Sequence, residues 1–296
     1  MTLFSADLVS IVLRSHNDKA LIRRTLVALF GLTRHPFHLI ALDNDSEDGT
    51  REILERYPVT LYRIPKGTYI PGRVLNYGMA VSQGEYVVFL NSDCIPQEPS
   101  WLDHLLAGFQ NTPKEGATVA AVFGRQIPHP DCMAMFYKDT EATYGDGSRQ
   151  KYWRHCFSMA SSAIRRSVWQ HLPFSETLQY SEDIDWTYRA RHCGYSVVYC
   201  PRSIVQHSHN YGLKQWYRRQ KGEGKAEAFI FEWSSWQGSF VRYSLLPWGR
   251  QLLTDIEFCL RYGKYGDLAY APFLRTTQLL ARRQGLLEGL QERASS

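Results

Sequence analysis

Apolar residues recur in short dense runs along the first hundred positions, and each run gives way to a polar cluster. LVSIVL (8–13) is followed by Arg14-Ser15-His16-Asn17. Residues 19–33 then carry Leu21, Ile22, Leu26, Leu29 and Phe30 at helical spacing, with Asp18 placed to cap them. FHLIALDND (37–45) repeats the pattern, a strand ending in acids, and a helix is predicted through 50–57. VTLYRI (59–64) precedes the loop KGTYIPGR, and residues 74–83 read as helix. In YVVFLNSDCIP (86–96), five residues suited to a buried strand run into Asn-Ser-Asp, and Pro96 stops the continuation. Strand alternating with helix predicts the parallel sheet of an α/β domain.

Beyond residue 100 the alternation weakens. AAVFGRQI (120–127) and SVVYCP (196–201) read as strands, and 164–171 and 182–193 as helices. From about 226 the composition turns aromatic, basic and helix-forming, which predicts a helical C-terminal region over 226–296 interrupted at Pro247 and Pro272. Ser15–Asn17, Asp43–Asp45 and Asn91–Asp93 all follow the C-terminal ends of predicted strands, the edge at which open α/β sheets bind ligands.

The 296 residues are 44% hydrophobic and 21% charged, ordinary for a globular chain. No apolar run approaches the ~20 residues that cross a bilayer, and the first residues lack a basic leader with a cleavage site. The six cysteines form no CxxC pair, which argues against a disulfide framework or zinc site. A cytoplasmic protein is expected. The net charge of +5 is concentrated in stretches such as RRQKGEGK (218–225) and ARR (281–283), which suit nucleotide phosphates or an anionic membrane surface. No nucleic-acid signature accompanies them. The dinucleotide fingerprint and the P-loop are absent, and LDNDSEDGT (42–50) fails as a calcium loop because its glycine falls one place late and the distal Glu is missing.

LVSIVLRSHND, IALDNDSEDGT and GRVLNYGMAVSQGEYVVFLNSDCIP together resemble the nucleotide-binding half of the family 2 glycosyltransferases, which have the GT-A fold. FSMASSAIRRSVW (157–169) and YSEDIDWTYRARHCGY (180–195) are similar to that family's acceptor-side motifs in order and spacing. QHSHNYGLKQWYRR (206–219) is similar to bacterial members that use rhamnosyl or related deoxy-sugar donors. The resemblance implies a GT-A catalytic domain over 1–225, with a nucleotide-binding half (1–98) and an acceptor-binding half (99–225), and a helical extension over 226–296. Its central sheet is expected to be mostly parallel and flanked by helices.

The resemblance also implies roles. Asp43 would contact the donor's base, where a carboxylate accepts the imide N–H of a pyrimidine, with Ser15, His16 and Asn17 beside it. Asp45 and Asp48 read as caps of the following turn and helix. Arg73 and Asn76 fall in the diphosphate-side loop, where a guanidinium pairs bidentately with phosphate. Asn91, Ser92 and Asp93 occupy the place of a DxD-type motif. Residues two apart in an extended segment face the same way, so Asp93 would bind Mn²⁺ or Mg²⁺ directly and Asn91 would bind ribose, or the metal through water. His207, the first of the pair His207 and His209, would complete the metal site. Asp183 would be the catalytic base of an inverting transfer, with Glu182 as its substitute. Trp153, Ser161, Tyr180, Asp185 and Trp186 are the candidate acceptor contacts. The expected reaction moves a sugar from a dTDP- or UDP-sugar, with dTDP-rhamnose favoured, to a glycan or lipid-linked acceptor in cell-envelope polysaccharide synthesis, at the inner face of the membrane if the acceptor is lipid-linked. A glycan-binding scaffold of the same fold and a sugar nucleotidyltransferase are the other readings. The C-terminal region would pack on the catalytic domain, associate with itself or lie on a membrane.

Overall fold

The computed structural model describes residues 9–111, 116–153, 155–233 and 239–295. The first eight positions, read above for a leader and the start of the first strand, lie outside them. The chain divides into two compact units: residues 1–127, 143–177 and 182–207 form one, and 128–142, 178–181 and 208–296 the other.

The first unit is built on β1 (Val9–Ser15), α1 (Lys19–Leu32), β2 (Phe37–Asp43), α2 (Thr50–Leu54), β3 (Val59–Arg63), α3 (Pro71–Val81) and β4 (Tyr86–Asn91). The short β5 (Ile95–Pro96), α4 (Trp101–Leu106) and β6 (Val119–Ile127) follow, then β7 (Ser161–Arg165), α6 (Arg166–His171), α7 (Glu182–His192) and β8 (Ser196–Gln206); α5 (Ala134–Tyr144), between β6 and β7 in the chain, belongs for most of its length to the second unit. The eight strands make one sheet in the order β3-β2-β1-β4-β7-β6-β8-β5. β1, β2, β3 and β4 pair in parallel, as do β6 and β8, while β7 runs antiparallel to both β4 and β6. Strand residues alternate between two cores. Ile11, Leu13, Leu39, Ala41, Val88 and Leu90 pack on one face, and Val12, Ile40, Leu42, Val87 and Phe89 on the other. Burial on both faces explains the continuous apolar runs of the sequence.

β7 is the strand that sequence patterning misses, because Ser161-Ser162-Ala163 has neither β-branched nor aromatic side chains. It lies between β4 and β6, where Ser161, Ser162 and Ala163 are all fully buried. The predicted helix over 164–171 therefore begins later, at Arg166.

The second unit contains α8 (Leu213–Ile230), α9 (Leu246–Arg261) and α10 (Tyr265–Ser295). The boundary read at 225/226 falls inside α8. α8 and α10 touch backbone to backbone, since a Cβ on Gly224 would collide with the Arg282 carbonyl and one on Gly285 with that of Lys221. A π-helical stretch, Val241–Leu245, runs directly into α9, so Pro247 stands just past the junction where the regular α-helical form is interrupted. Pro272 lies within α10, which continues through it. The loss of a hydrogen bond there, about 3 kcal/mol or more, is outweighed by packing on both sides. Ala271 and Leu274 are fully buried, and Arg275 binds Asp255 through two contacts (2.7 and 2.9 Å) and Asp139 at 2.8 Å.

Candidate active site

β1 and β4 are parallel neighbours, and their register sets Arg14 beside Asn91. Arg14 Nη2 donates to Asn91 Oδ1 (2.8 Å), and its Nη1 lies 3.5 Å from Glu182 Oε1 at the start of α7. Burial opposes the charge of this guanidinium, but Tyr69, Glu182 and Asp183 around it hold its pKa above the ordinary value. Asp183 accepts from the Ile184 N–H (2.8 Å) and from the Met159 N–H (3.4 Å). One residue on, the Ala160 carbonyl accepts from the Asn91 N–H (3.0 Å). The acidic pair and the Asn91–Asp93 turn, ninety residues apart in sequence, thus share one guanidinium and one backbone segment. α7 carries Glu182, Asp183 and Asp185 in its first turn and Arg189, Arg191 and His192 in its last, so both ends suit the helix dipole.

Beside this pair is a second cluster. Asp93, Cys94 and His207 each offer a donor atom, all within 4.8 Å of one another. His207 Nε2 stands 3.6 Å from Asp93 Oδ2, and Cys94 Sγ 3.9 Å from Asp93 Oδ1. The other imidazole nitrogen, Nδ1, lies 2.7 Å from Gln126 Oε1. An amide oxygen only accepts, so Nδ1 carries the proton and the Nε2 lone pair is turned to Asp93. A carboxylate and an imidazole preset in this way fit Mn²⁺ or Mg²⁺ with diphosphate oxygens as further ligands. Cys94 adds a softer donor of the kind that suits Zn²⁺ or Co²⁺. Burial, then the charge of Asp93, pushes its thiol well above the usual range. Asp18 completes the surroundings: it stands at the N-cap position of α1 without a capping side-chain bond, and its carboxylate accepts from Ser92 Oγ instead. Burial raises the Asp18 pKa, the Ser92 hydrogen bond opposes this, and the neighbouring Asp93 adds to it.

At the end of β2, Asp43 is fully buried and its oxygens accept from Ser15 Oγ (2.8 Å), Ser46 Oγ (2.6 Å) and the Ser46 N–H (3.0 Å). It shapes the loop, and the more open groups at this strand end are His16, Asn17 and Asp45. His16 Nδ1 is 2.7 Å from the Asn44 carbonyl, and Asn17 Oδ1 accepts from the Glu47 N–H (2.9 Å). Asp48 does cap, accepting from Thr50 and from the Lys19 N–H. Burial pushes its carboxyl up, and these hydrogen bonds outweigh that and hold it low. Asp45 instead pairs with Arg63. Among the described residues, three non-glycine residues adopt positive φ: Asn17 (53°), Asp45 (50°) and Ser181 (58°). Such strain concentrates at functional loops, and here it flanks two strand ends and the start of α7.

The remaining expectations divide. Arg73 stands half-exposed in the first turn of α3, 3.5 Å from Glu176. Asn76 makes its four hydrogen bonds within the fold: its amide donates to the Phe174 carbonyl and Glu176, and accepts from the Trp169 indole and the Phe174 N–H. Trp186 is a core residue, fully buried against Phe174, and Trp153 packs on Phe123 and Tyr199. Sequence alone makes both candidate acceptor contacts, because aromatic residues near an acidic motif look the same in sequence whichever way they face. Ser161 is buried in β7 with an unpartnered hydroxyl. Asp185 pairs with Arg189 at 2.8 Å. Tyr180 belongs to the helical unit, where its ring covers Gly222 of α8. Sequence reading missed Arg14, Gln126, Asp18 and Cys94. The signal for the first two was a strongly polar residue near the end of a largely apolar strand, Arg14 in β1 and the pair Arg125-Gln126 in β6.

A family model described as Glycosyl transferase family 2 matches residues 10–172, more than half of the chain. The O-antigen chain rhamnosyltransferase WbaN of Salmonella anatum is 31% identical over 198 residues, 63% of this chain and 61% of its own length. RfbN of Salmonella typhimurium, also described as an O-antigen chain rhamnosyltransferase, is 26% identical over 223 residues, 71% of this chain and 69% of its own. The chain therefore matches about three fifths of the first relative's length. Among solved structures, the mannosyltransferase PcManGT from Pyrobaculum calidifontis, in complex with GDP-Man and Mn²⁺, has a TM-score of 0.63 at 16% identity, covering 96% of this chain and 87% of that one. Glucosyl-3-phosphoglycerate synthase from Mycobacterium tuberculosis, in complex with Mn²⁺, UDP and phosphoglyceric acid, has a TM-score of 0.55 at 18% identity over 77% and 80%. These likenesses carry the fold, the GT-A arrangement expected from the sequence.

Proposed function

Because the chain belongs to glycosyl transferase family 2, we propose that it moves a sugar from a nucleoside-diphosphate donor to a hydroxyl of a glycan or lipid-linked acceptor, with inversion, using Asp183 as base. The observation that supports this most is the convergence of the Glu182–Asp183 pair and the Asn91–Asp93 turn on Arg14. Asp183 takes the proton from the acceptor hydroxyl as its oxygen attacks C1 on the face opposite the diphosphate. The new C1–O bond forms while the C1–diphosphate bond breaks, and the leaving group keeps the electron pair. Glu182, paired with Arg14, holds the start of α7 against β1. A divalent cation held by Asp93 and His207 would supply the charge that stabilises the departing diphosphate. Gln126 keeps the His207 ring oriented for it.

Base recognition falls to the loop that Asp43 organises, with His16 and Asn17 as its open polar groups. A deoxythymidine-diphosphate deoxy-sugar is the favoured donor, supported by the likeness to two rhamnosyltransferases. A lipid-linked acceptor would bring the chain to a membrane face. Among the described residues no helix is long and apolar enough to cross one.

Calorimetric binding of UDP, dTDP, GDP and CDP, each with and without Mn²⁺, tests the donor site. Tight binding of one pyrimidine diphosphate that needs both the metal and Asp93, and is lost in Asp93→Ala, is the expected result. A folded protein that binds none of the four would overturn the reading and favour a glycan-binding role.

A further inference from the structure

α9 and α10 leave a row of large apolar side chains in solvent. Leu246, Leu253 and Leu260 on α9 are seven residues apart, as are Phe273, Leu280 and Leu287 on α10, and the six are 44–70% exposed. Seven-residue spacing puts each trio in one stripe along its helix.

Both stripes lie on the same side of the α9–α10 hairpin. Its other side is held by α5, through Lys138–Asp255 (2.6 Å) and Asp139–Arg275 (2.8 Å). At about 100° per residue, the α9 stripe is turned roughly 140–180° from Asp255 and the α10 stripe roughly 120–160° from Arg275. The Trp248–Thr276 hydrogen bond (3.3 Å) sets Leu253 and Phe273 at nearly the same height on the two helices.

We propose that this face binds the same face of a second copy of the chain, forming a two-fold dimer of four antiparallel-packed helices. Three observations select a second copy. The first is area: the six residues leave roughly 500–600 Å² of apolar surface uncovered. That is the upper end of the largest patch of a typical monomer, about 300–600 Å², and most of what one partner of a standard interface buries, about 800 Å². The second is the seven-residue period, which suits an opposing helix. The third is charge. A two-fold axis crossing at Leu253 sets Leu246 of one copy against Leu260 of the other. It also brings Arg250, exposed beside the stripe, within one residue of the equally exposed Glu257 of the second copy. Two reciprocal ion pairs result, whereas an anionic lipid surface would repel Glu257.

The test is sedimentation velocity on the full chain across nanomolar to tens of micromolar concentration. A concentration-dependent dimer is expected. Leu253→Glu should weaken it at least tenfold, with an unchanged melting temperature because the site is exposed. Arg250→Glu should weaken it as well, and adding Glu257→Arg should restore it. The reversal separates paired charges from general stickiness. A wild-type chain that stays monomeric throughout, or a dimer indifferent to Leu253→Glu, overturns the proposal. So does a monomer that sediments with vesicles of phosphatidylglycerol and loses that binding in Leu253→Glu, since the face would then belong to lipid.

Discussion

Gln126→Leu should weaken divalent-cation binding by about ten- to a hundredfold while leaving the fold intact. Gln126 is almost fully buried, and its Oε1 lies 2.7 Å from His207 Nδ1. The replacement has similar volume and keeps the strand apolar, so packing changes little. What is lost is the acceptor that keeps the proton on Nδ1. Without it the ring divides between two tautomers, and the one protonated at Nε2 cannot ligate. One buried hydrogen bond contributes about 1 kcal/mol, and groups that orient a metal-binding histidine typically account for ten- to a hundredfold in affinity, or about 1.4–2.8 kcal/mol. Manganese binding followed by the loss of the free-ion resonance signal measures this without turnover. Gln126→Glu, which still offers an acceptor, should retain wild-type affinity or exceed it. If Gln126→Leu stays within twofold of wild type while His207→Ala loses more than tenfold, the tautomer argument is wrong although the ligand is right.

Asp183→Asn should cut turnover by about 10²–10⁴ and leave binding of the donor diphosphate within twofold, read by single-turnover assay beside calorimetry. Arg14→Met should destabilise the protein by about 3–5 kcal/mol, because Glu182 is left buried without its cation; adding Glu182→Gln should recover most of that loss in urea unfolding. Asp18→Asn should stabilise the protein at pH 7. Burial raises the Asp18 pKa above the ordinary aspartate value, about 3.9, so its contribution is fully present below that value and lost as pH rises through the folded one; urea midpoints between pH 3 and 7 should fall less steeply in the variant. If Cys94 joins Asp93 and His207 on a soft ion, Co²⁺ should give a sulfur-to-metal charge-transfer absorption that Cys94→Ala abolishes and Asp93→Ala only weakens.

The strand ends that build the donor side were legible because each pairs a fully buried apolar run with a sudden polar cluster, as in Leu90 to Asp93. The acidic pair was legible only through the motif resemblance, since Glu182 and Asp183 alone look like ordinary decoration of a helix start. Direction of burial was not legible. Trp186 lies one turn beyond Glu182, and nothing local says that its indole turns to Phe174 and the Leu172 carbonyl. Asn76 sits in a motif that suggested phosphate, yet its four hydrogen bonds go to a segment about a hundred residues away. β7 was hidden for a related reason: its buried positions 161–163 are filled by small side chains, which carry no strand propensity.

The departure of Asn91 from the acidic motif follows from Arg14. The guanidinium is buried, and Glu182 already supplies one carboxylate near it with Asp183 close by. An acid at position 91 would put a further negative charge on the same cation, in a place where burial makes every uncompensated charge costly. Asn91 offers Arg14 the same acceptor oxygen, at 2.8 Å, with no charge. At the proposed cation site the carboxylate of Asp93 supplies negative charge, and the ring of His207, oriented by Gln126, adds a nitrogen ligand. The first acid of the motif is therefore not simply missing. Its acceptor role stays at position 91, and its charge is carried by Glu182, at the start of the helix that bears the proposed base.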